Sequence, residues 1–258
     1  MLDAELKSKI NQLWDKFWSG GISDPLVAIT QMSYLIFMKR IEDEDIAREQ
    51  NAQLGGKPFK SIFENNENCK WSDWTNLPAN RILIHVRDNV FPFLRTLGGK
   101  DSLYSQFMKD AAFTIPNSSL LIEAVKIIDE MQIKHQNRDT KGDLFEYLLS
   151  ELKTAGKNGQ FRTPRHIIKM MVDIVNPKIG DVICDPACGT SGFLIATYEH
   201  ILKQNTSKQF IKTDEVGHEY GLKGDKFDEN QWNQLSENTL YGYDFDSTMV
   251  RISLMNLM

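Results

Sequence analysis

The sequence predicts an α+β protein: an N-terminal α-helical bundle followed by the first part of an α/β unit. Two observations carry this. Apolar residues recur at helical spacing through the first 135 residues, with no strand-like alternation. Beyond a polar stretch near residue 136 the texture changes to short β-branched runs ending on carboxylates, each followed by a turn.

The first helix is marked by Leu2, Leu6, Ile10, Leu13, Trp14, Phe17 and Trp18, and Ser19-Gly20-Gly21 stops it. Ser23 or Asp24 can cap a second helix with Pro25 in its first turn. Leu26, Ile29, Met32, Leu35, Ile36 and Phe37 give that helix its apolar residues. It runs into Glu42-Asp43-Glu44-Asp45, which reads as a solvated acidic face. Residues 50–80 read as irregular, with Trp71 and Trp74 spaced to pack on a core; base stacking is the alternative role. A third helix is expected over 82–97, kinked at Pro92, and a fourth over 120–133 with Leu121, Val125, Ile128 and Met131 on one face. Together these make a bundle. The polar run Gln136 to Lys141 marks the domain boundary, dividing a helical domain, 1–135, from a second domain, 136–258. Asp143 opens a short amphipathic helix through Leu144, Phe145, Leu148 and Leu149.

In the second domain Asp181 to Asp185 and Thr239 to Asp244 read as strands. Between them, residues 202–236 read as a polar surface loop. Composition narrows the function classes. The 258 residues are 41% hydrophobic and 25% charged, which excludes a disordered or collagen-like chain. The net charge of −5 is spread over both halves, so neither has the basic footprint of an autonomous DNA binder. Three cysteines suit a reducing compartment, and Cys184 and Cys188 are expected to split between a buried strand and the following loop. The most apolar run, Pro25 to Met38, is too short and polar to span a bilayer, so the expected location is cytoplasmic, away from membranes.

The chemistry concentrates after the first strand. Pro186-Ala187-Cys188-Gly189-Thr190-Ser191-Gly192-Phe193 lets the backbone turn sharply and approach a ligand, and the helix that follows directs its N-terminus there. By itself this could equally be a tight strand–helix connection. It is not the dinucleotide fingerprint G-x-G-x-x-G, because Ser191 replaces a glycine, which argues against a dinucleotide-binding enzyme. Upstream, Gln160-Phe161-Arg162-Thr163-Pro164-Arg165 leads into a helix for which Thr163 is a natural N-cap and Pro164 a natural first residue; its core side would carry Ile167, Ile168, Met171, Val172 and Val175. Downstream, Asp244 ends the second strand, where a carboxylate can accept hydrogen bonds from ribose hydroxyls or simply close a turn. Glu215, His218 and Glu219 are too weak a cluster to indicate a metal site, and His85, His135, His166 and His200 read as single histidines without partners.

A capped helix, a D-P-x-x-G-x-x-G turn and a strand-end acid, in this order, resemble the methyltransferase (modification) subunit of type I restriction–modification systems, within the adenine-N6 DNA methyltransferases. Asp185 to Leu194 resembles the family's S-adenosylmethionine motif, Gln160 to Arg165 the motif before it, and Tyr241 to Asp246 with Met249 to Asn256 the stretch after it. The helical first half resembles the family's N-terminal domain. The resemblance implies a Rossmann-like S-adenosylmethionine-dependent fold for the second domain. Asp185 would then lie near the methionine ammonium, Gly189, Thr190, Ser191 and Gly192 would line the cofactor loop, Gln160, Phe161, Arg162, Thr163, Pro164 and Arg165 would hold the methionine end, and Asp244 would bind the ribose. It also implies DNA as substrate, a specificity subunit and a restriction subunit as partners, and a hetero-oligomer.

The family's catalytic Asn/Asp-Pro-Pro-aromatic motif does not occur in these 258 residues; Asn176-Pro177 is followed by Lys178 and precedes the cofactor strand. Two recognisable strands are also fewer than a doubly wound sheet uses. The expectation is a truncated chain with no catalytic residue of its own, inactive alone. The alternative is a non-catalytic module that docks a specificity subunit or DNA.

Overall fold

The computed structural model describes residues 4–56, 58–99, 101–131, 147, 163–213 and 219–257. The chain divides into two compact units, Met1–Gln136 with Asp143–Asn158, and Asn137–Gly142 with Gly159–Met258. The expected helix over 143–149 lies outside the described residues except for Tyr147, whose hydroxyl donates to Asn11 (2.9 Å).

The helical unit is built around α2, Pro25–Leu54. Asp24 is its N-cap, accepting from the Leu26 N–H at 3.0 Å, and Pro25 takes the first position, where its missing N–H costs nothing. From Gln31 to Met38 every residue is buried, so the helix is covered on all sides rather than along one stripe. Helix α1, Ala4–Ser19, contributes Leu6, Ile10, Leu13 and Phe17. Its exit is fixed at Gly20, where a Cβ would stand 2.7 Å from the Lys16 carbonyl and 2.8 Å from Leu120. Helix α3, Trp71–Trp74, seats both indoles in the core in edge contact (4.8 Å between centroids), as their spacing predicts. Trp71 Nε1 donates to Asp129 (2.8 Å) on α7, Ser118–Glu130. The predicted third helix is α4, Ala79–His85, running through a π-helical turn, Val86–Val90, into α5, Phe91–Arg95. The irregularity precedes Pro92, which has no N–H to give to the preceding turn. A further helix, α6, Leu103–Met108, has no counterpart in the sequence expectations.

The acidic stretch is not a solvated face. Glu42, Asp43 and Asp45 are buried and only Glu44 is exposed. Glu42 accepts from the Ser72 N–H (2.9 Å) and hydroxyl (2.5 Å), Asp45 from the Ile62 N–H (2.9 Å) and the Ser61 hydroxyl (2.5 Å), and Asp43 pairs with Lys39 (3.4 Å). The 61–72 connection folds over α2 and supplies the donors that make burying Glu42 and Asp45 tolerable, while Lys39 on α2 itself offsets the charge of Asp43. Gln31 does the same for residues 112–114, donating to the Ala112 carbonyl (3.0 Å) and accepting from the Thr114 N–H (2.8 Å).

In the second unit α8 spans Arg165–Val175, followed by β1, Ile183–Asp185, and α9, Gly192–Gln204. A β2–β3 hairpin, Lys212–Thr213 and Glu219–Tyr220, leads to α10, Glu229–Glu237, then β4, Leu240–Gly242, and α11, Ser247–Leu257. β1 and β4 pair in parallel, Ile183 with Leu240 and Asp185 with Gly242. The α+β expectation holds, with strands shorter than predicted. The 202–236 stretch is more structured than the expected loop: Asp228 and Gln231 form a capping box on α10, and Leu235 packs with Ile201, Leu202, Phe227 and Trp232. Glu215 and His218 lie outside the described residues, and Glu219 pairs with Lys203 (2.5 Å). No helix among the described residues is long and apolar enough to cross a membrane.

Two smaller expectations are corrected. His200 has partners, Asp173 at 3.3 Å and the Asn176 side chain at 3.1 Å, and the His85 ring meets the Asn68 carbonyl at 2.8 Å. Asn176 is itself the left-handed C-cap of α8 (φ 52°), which accounts for the misleading Asn176-Pro177 pair.

Candidate functional site

The site forms where β1 and β4 end side by side. Asp185 closes β1. Its carbonyl accepts from the Tyr243 N–H (2.9 Å), and its Oδ1 accepts from the Ala187 N–H (3.1 Å), which turns the chain over Pro186. The Cys188 N–H then donates to the Tyr243 carbonyl (2.8 Å), so the loop is stitched back onto the exit of β4. Gly242, opposite Asp185, is required by space: a Cβ there would lie 2.8 Å from Leu194 and 3.1 Å from the Cys188 sulfur.

Gly189 is required by conformation instead. Its φ is +54°, and nothing lies within 4 Å of where its Cβ would stand. Its N–H donates to Asp244 Oδ2 (2.9 Å), while Asp244 Oδ1 accepts from the Asp246 N–H (2.8 Å). Asp244 therefore holds the glycine loop from a position two residues beyond β4, which ends at Gly242 rather than at Asp244 as expected. The loop finishes at Ser191, the N-cap of α9, with φ +68° in a residue that is not glycine. Thr190 and Ser191 are buried, and Gly192 opens the helix. Cys188 is buried beneath the loop; burial first, and then the charge of Asp185, push its thiol above the ordinary range, which keeps it protonated and unreactive. Cys184 is exposed rather than buried, because the strand's outward face is open.

Thus Asp185, Gly189, Thr190, Ser191, Gly192 and Asp244 come together as one constellation. Gln160, Phe161 and Arg162 lie outside the described residues. Thr163, Pro164 and Arg165 lead into α8, one residue out of the expected phase. Pro164 occupies the N-cap position, its carbonyl accepting from Ile167 and Ile168 (2.9 and 3.0 Å), and Thr163 stands outside the helix. A proline φ of −58° with extended ψ suits that position without a side-chain cap. Of the five apolar residues assigned to the core side of α8, Ile168 and Val172 are buried and Ile167 is half-buried. Met171 and Val175 instead line an open apolar cavity of about 270 Å³ that reaches Ile183, Asp185 and Phe193.

Residues that sequence reasoning missed lie on α11. Ser253 hydrogen-bonds to Ser191, and the Asn256 amide donates to the Thr190 carbonyl (3.1 Å). Both stand with Met249, Ile252 and Met255 on or beside the buried face, and polar residues there were the available signal.

Two family models match, the HsdM N-terminal domain over residues 6–128 and the N-6 DNA Methylase over 136–258, so together they span nearly the whole chain. The chain is 29% identical over 208 residues to the type I restriction enzyme EcoEI methylase subunit of Escherichia coli, covering 76% of this chain and 40% of that protein. It is 26% identical over 221 residues to the EcoKI methylase subunit of Escherichia coli K12, covering 83% and 38%. Among solved structures, a modification subunit ascribed to a type I restriction enzyme of Vibrio vulnificus YJ016 superposes with a TM-score of 0.74 at 24% identity, over 98% of this chain and 52% of that one. This likeness establishes the fold. The chain spans about half the length or less of the relatives it matches. With helical and α/β segments each matched by the corresponding family model, the chain belongs to the family of type I restriction–modification methylase subunits.

Proposed function

We propose that this chain is the S-adenosylmethionine-binding portion of an adenine-N6 DNA methyltransferase subunit, with residues 1–135 as its helical N-terminal domain and 136–258 as a partial methyltransferase domain. The carrying observation is the loop between two parallel strand ends. Asp185 and Asp244 flank a turn whose Gly189 backbone faces open space and whose last residue caps a 13-residue helix. This cradle fits a ligand with a cationic end and hydroxyls. Asp185 Oδ2, without a partner among the described residues, can take an ammonium. Asp244 retains acceptor capacity for ribose hydroxyls beyond the two N–H groups it already holds. Gly192 and the first turn of α9 present N–H groups to a polar ligand. Gln160 to Arg165 would complete the methionine end. When bound, S-adenosylmethionine supplies an activated methyl group on its sulfonium.

Transfer to a flipped-out adenine needs a pocket that accepts hydrogen bonds from the N6 amino group, and the motif that provides one in this family is not among these residues. The reading therefore gives this chain binding without turnover. The remaining sequence of the subunit would supply the base pocket, and specificity and restriction subunits would form the cytoplasmic hetero-oligomer on DNA. The missing motif also favours a second reading, a docking module for a specificity subunit.

Calorimetric titration with S-adenosylmethionine separates the two. Saturable binding that Asp185→Ala abolishes supports the cofactor role. No binding by a folded chain leaves the docking module. Methylation of DNA by the 258-residue chain alone would overturn the assignment of binding without turnover.

A further inference from the structure

Ser191 is an anomaly within the glycine loop. It holds φ +68° and ψ 29°, a left-handed conformation that glycine adopts freely and serine does not. Such backbone persists only where the surroundings over-determine it. Here the surroundings come from a helix 62 residues further on: Ser253 hydrogen-bonds to the Ser191 hydroxyl, and Asn256, one turn further, donates to the carbonyl of Thr190. Ser191 and Ser253 are both buried, and the Cys188 thiol completes the polar contact with their hydroxyls.

We infer that Ser253 and Asn256 are positioning residues: α11 latches the glycine loop into its left-handed turn, so that a polar pair buried under the loop fixes the cradle before any ligand arrives. This rests on the cofactor reading for its purpose, but not for its existence. The latch acts on residues 189–192 through the Ser191 side chain and the Thr190 carbonyl, and a preorganised loop lowers the ordering cost of binding.

Hydrogen exchange on the full 258-residue chain reads the latch without a ligand. Ser253→Ala should speed exchange of the Gly189 and Ser191 amides on the order of tenfold or more, leaving the Ile201 and Leu202 amides of the neighbouring core unchanged. Ser253→Thr, which keeps the hydroxyl, should restore protection. In a Ser191→Gly background, where the left-handed turn is free of cost, Ser253→Ala should change nothing further. Asn256→Ala is the second variant and should loosen the same amides from the other contact. Unchanged loop exchange in both Ser253→Ala and Asn256→Ala overturns the latch. So does an equal increase for Ser253→Ala with either residue at 191, which marks a general packing effect. S-adenosylmethionine titration of the same proteins is a separate arm. Wild type that fails to bind while its loop exchange follows the pattern refutes the cofactor reading and leaves the latch standing. Binding weakened about fivefold or more by Ser253→Ala and restored by Ser253→Thr ties the two together.

Discussion

The two units enclose their polar and apolar groups differently. In the helical unit α2 is enclosed from Gln31 to Met38, and the carboxylates Glu42 and Asp45 are satisfied by donors from the 61–72 connection. In the α/β unit large apolar residues stand in the open: Ile174 and Val175 on α8, Val182 before β1, and Tyr243 and Phe245 after β4. Beside a smaller core around Ile201, Leu202 and Leu235, that unit buries the polar underside of the loop, where Cys188, Ser191 and Ser253 meet. The helical unit encloses one long helix in its core, whereas the α/β unit divides its burial between a smaller core and one turn. A bundle is held by many contacts of similar weight, whereas the geometry of a loop depends on a few specific ones.

Substitutions sharpen this contrast, and the buried thiols report it: Cys69 lies in the helical unit and Cys188 in the α/β unit. The largest effect is expected at Leu35, fully buried in α2. Leu35→Ala should cost the helical unit about 2–5 kcal/mol, read as earlier labelling of Cys69 in a denaturant titration. Earlier labelling of Cys188 to the same extent would show that the two units do not open separately. Gly242→Ala inverts the experiment. A methyl pressed against Leu194 and Cys188 should cost about 1–3 kcal/mol, read at Cys188 with Cys69 unaffected. Wild-type labelling of Cys188 in that variant would mean that the strand end yields easily and the contrast between core and turn is weaker than the burial suggests.

The smallest effect concerns pH. Burial pushes the Cys69 thiol up to about 11, whereas an unfolded cysteine ionises near about 8.5. Between those values the unfolded chain loses its proton first, so the helical unit is fully stabilised below that window and loses stability as pH rises through it. Denaturant midpoints measured from pH 8 to 10.5 should fall for wild type and fall less steeply for Cys69→Ala. Equal slopes would assign the alkaline loss to other groups.

The contrast also explains what could be read from sequence. Helix positions follow from apolar spacing and from chemical stops such as Gly20 and the Asp24-Pro25 pair, all local signals. The residues of the glycine loop were legible because strand, turn and helix are contiguous from Asp185 to Gly192, and Asp244 because it follows a second strand by two residues. The buried acids were not legible: Glu42 and Asp45 are buried by donors about 16 to 30 residues later, and nothing in Glu42-Asp43-Glu44-Asp45 announces Ser61 or Ser72. The α10 helix was missed because its core residues, Leu235 and Trp232, are sparse within a polar sequence. Ser253 was missed because its meaning depends on the backbone angle of a residue 62 positions away.

The π-helical turn at Val86–Val90 leaves one further consequence. Such a turn holds one residue more than an α-turn, so it behaves as a built-in insertion within an otherwise continuous rod. Each residue of an α-helix rotates the chain by about 100°. Excising a single residue there would let the turn relax to the α-helical form with Phe91 and Leu94 still on the core, whereas excising one from α4 would rotate them off it by that angle. The rod is thus less sensitive to the loss of one residue at this turn than elsewhere along its length. Its reading frame of faces, rather than any one contact, is the quantity that this stretch protects.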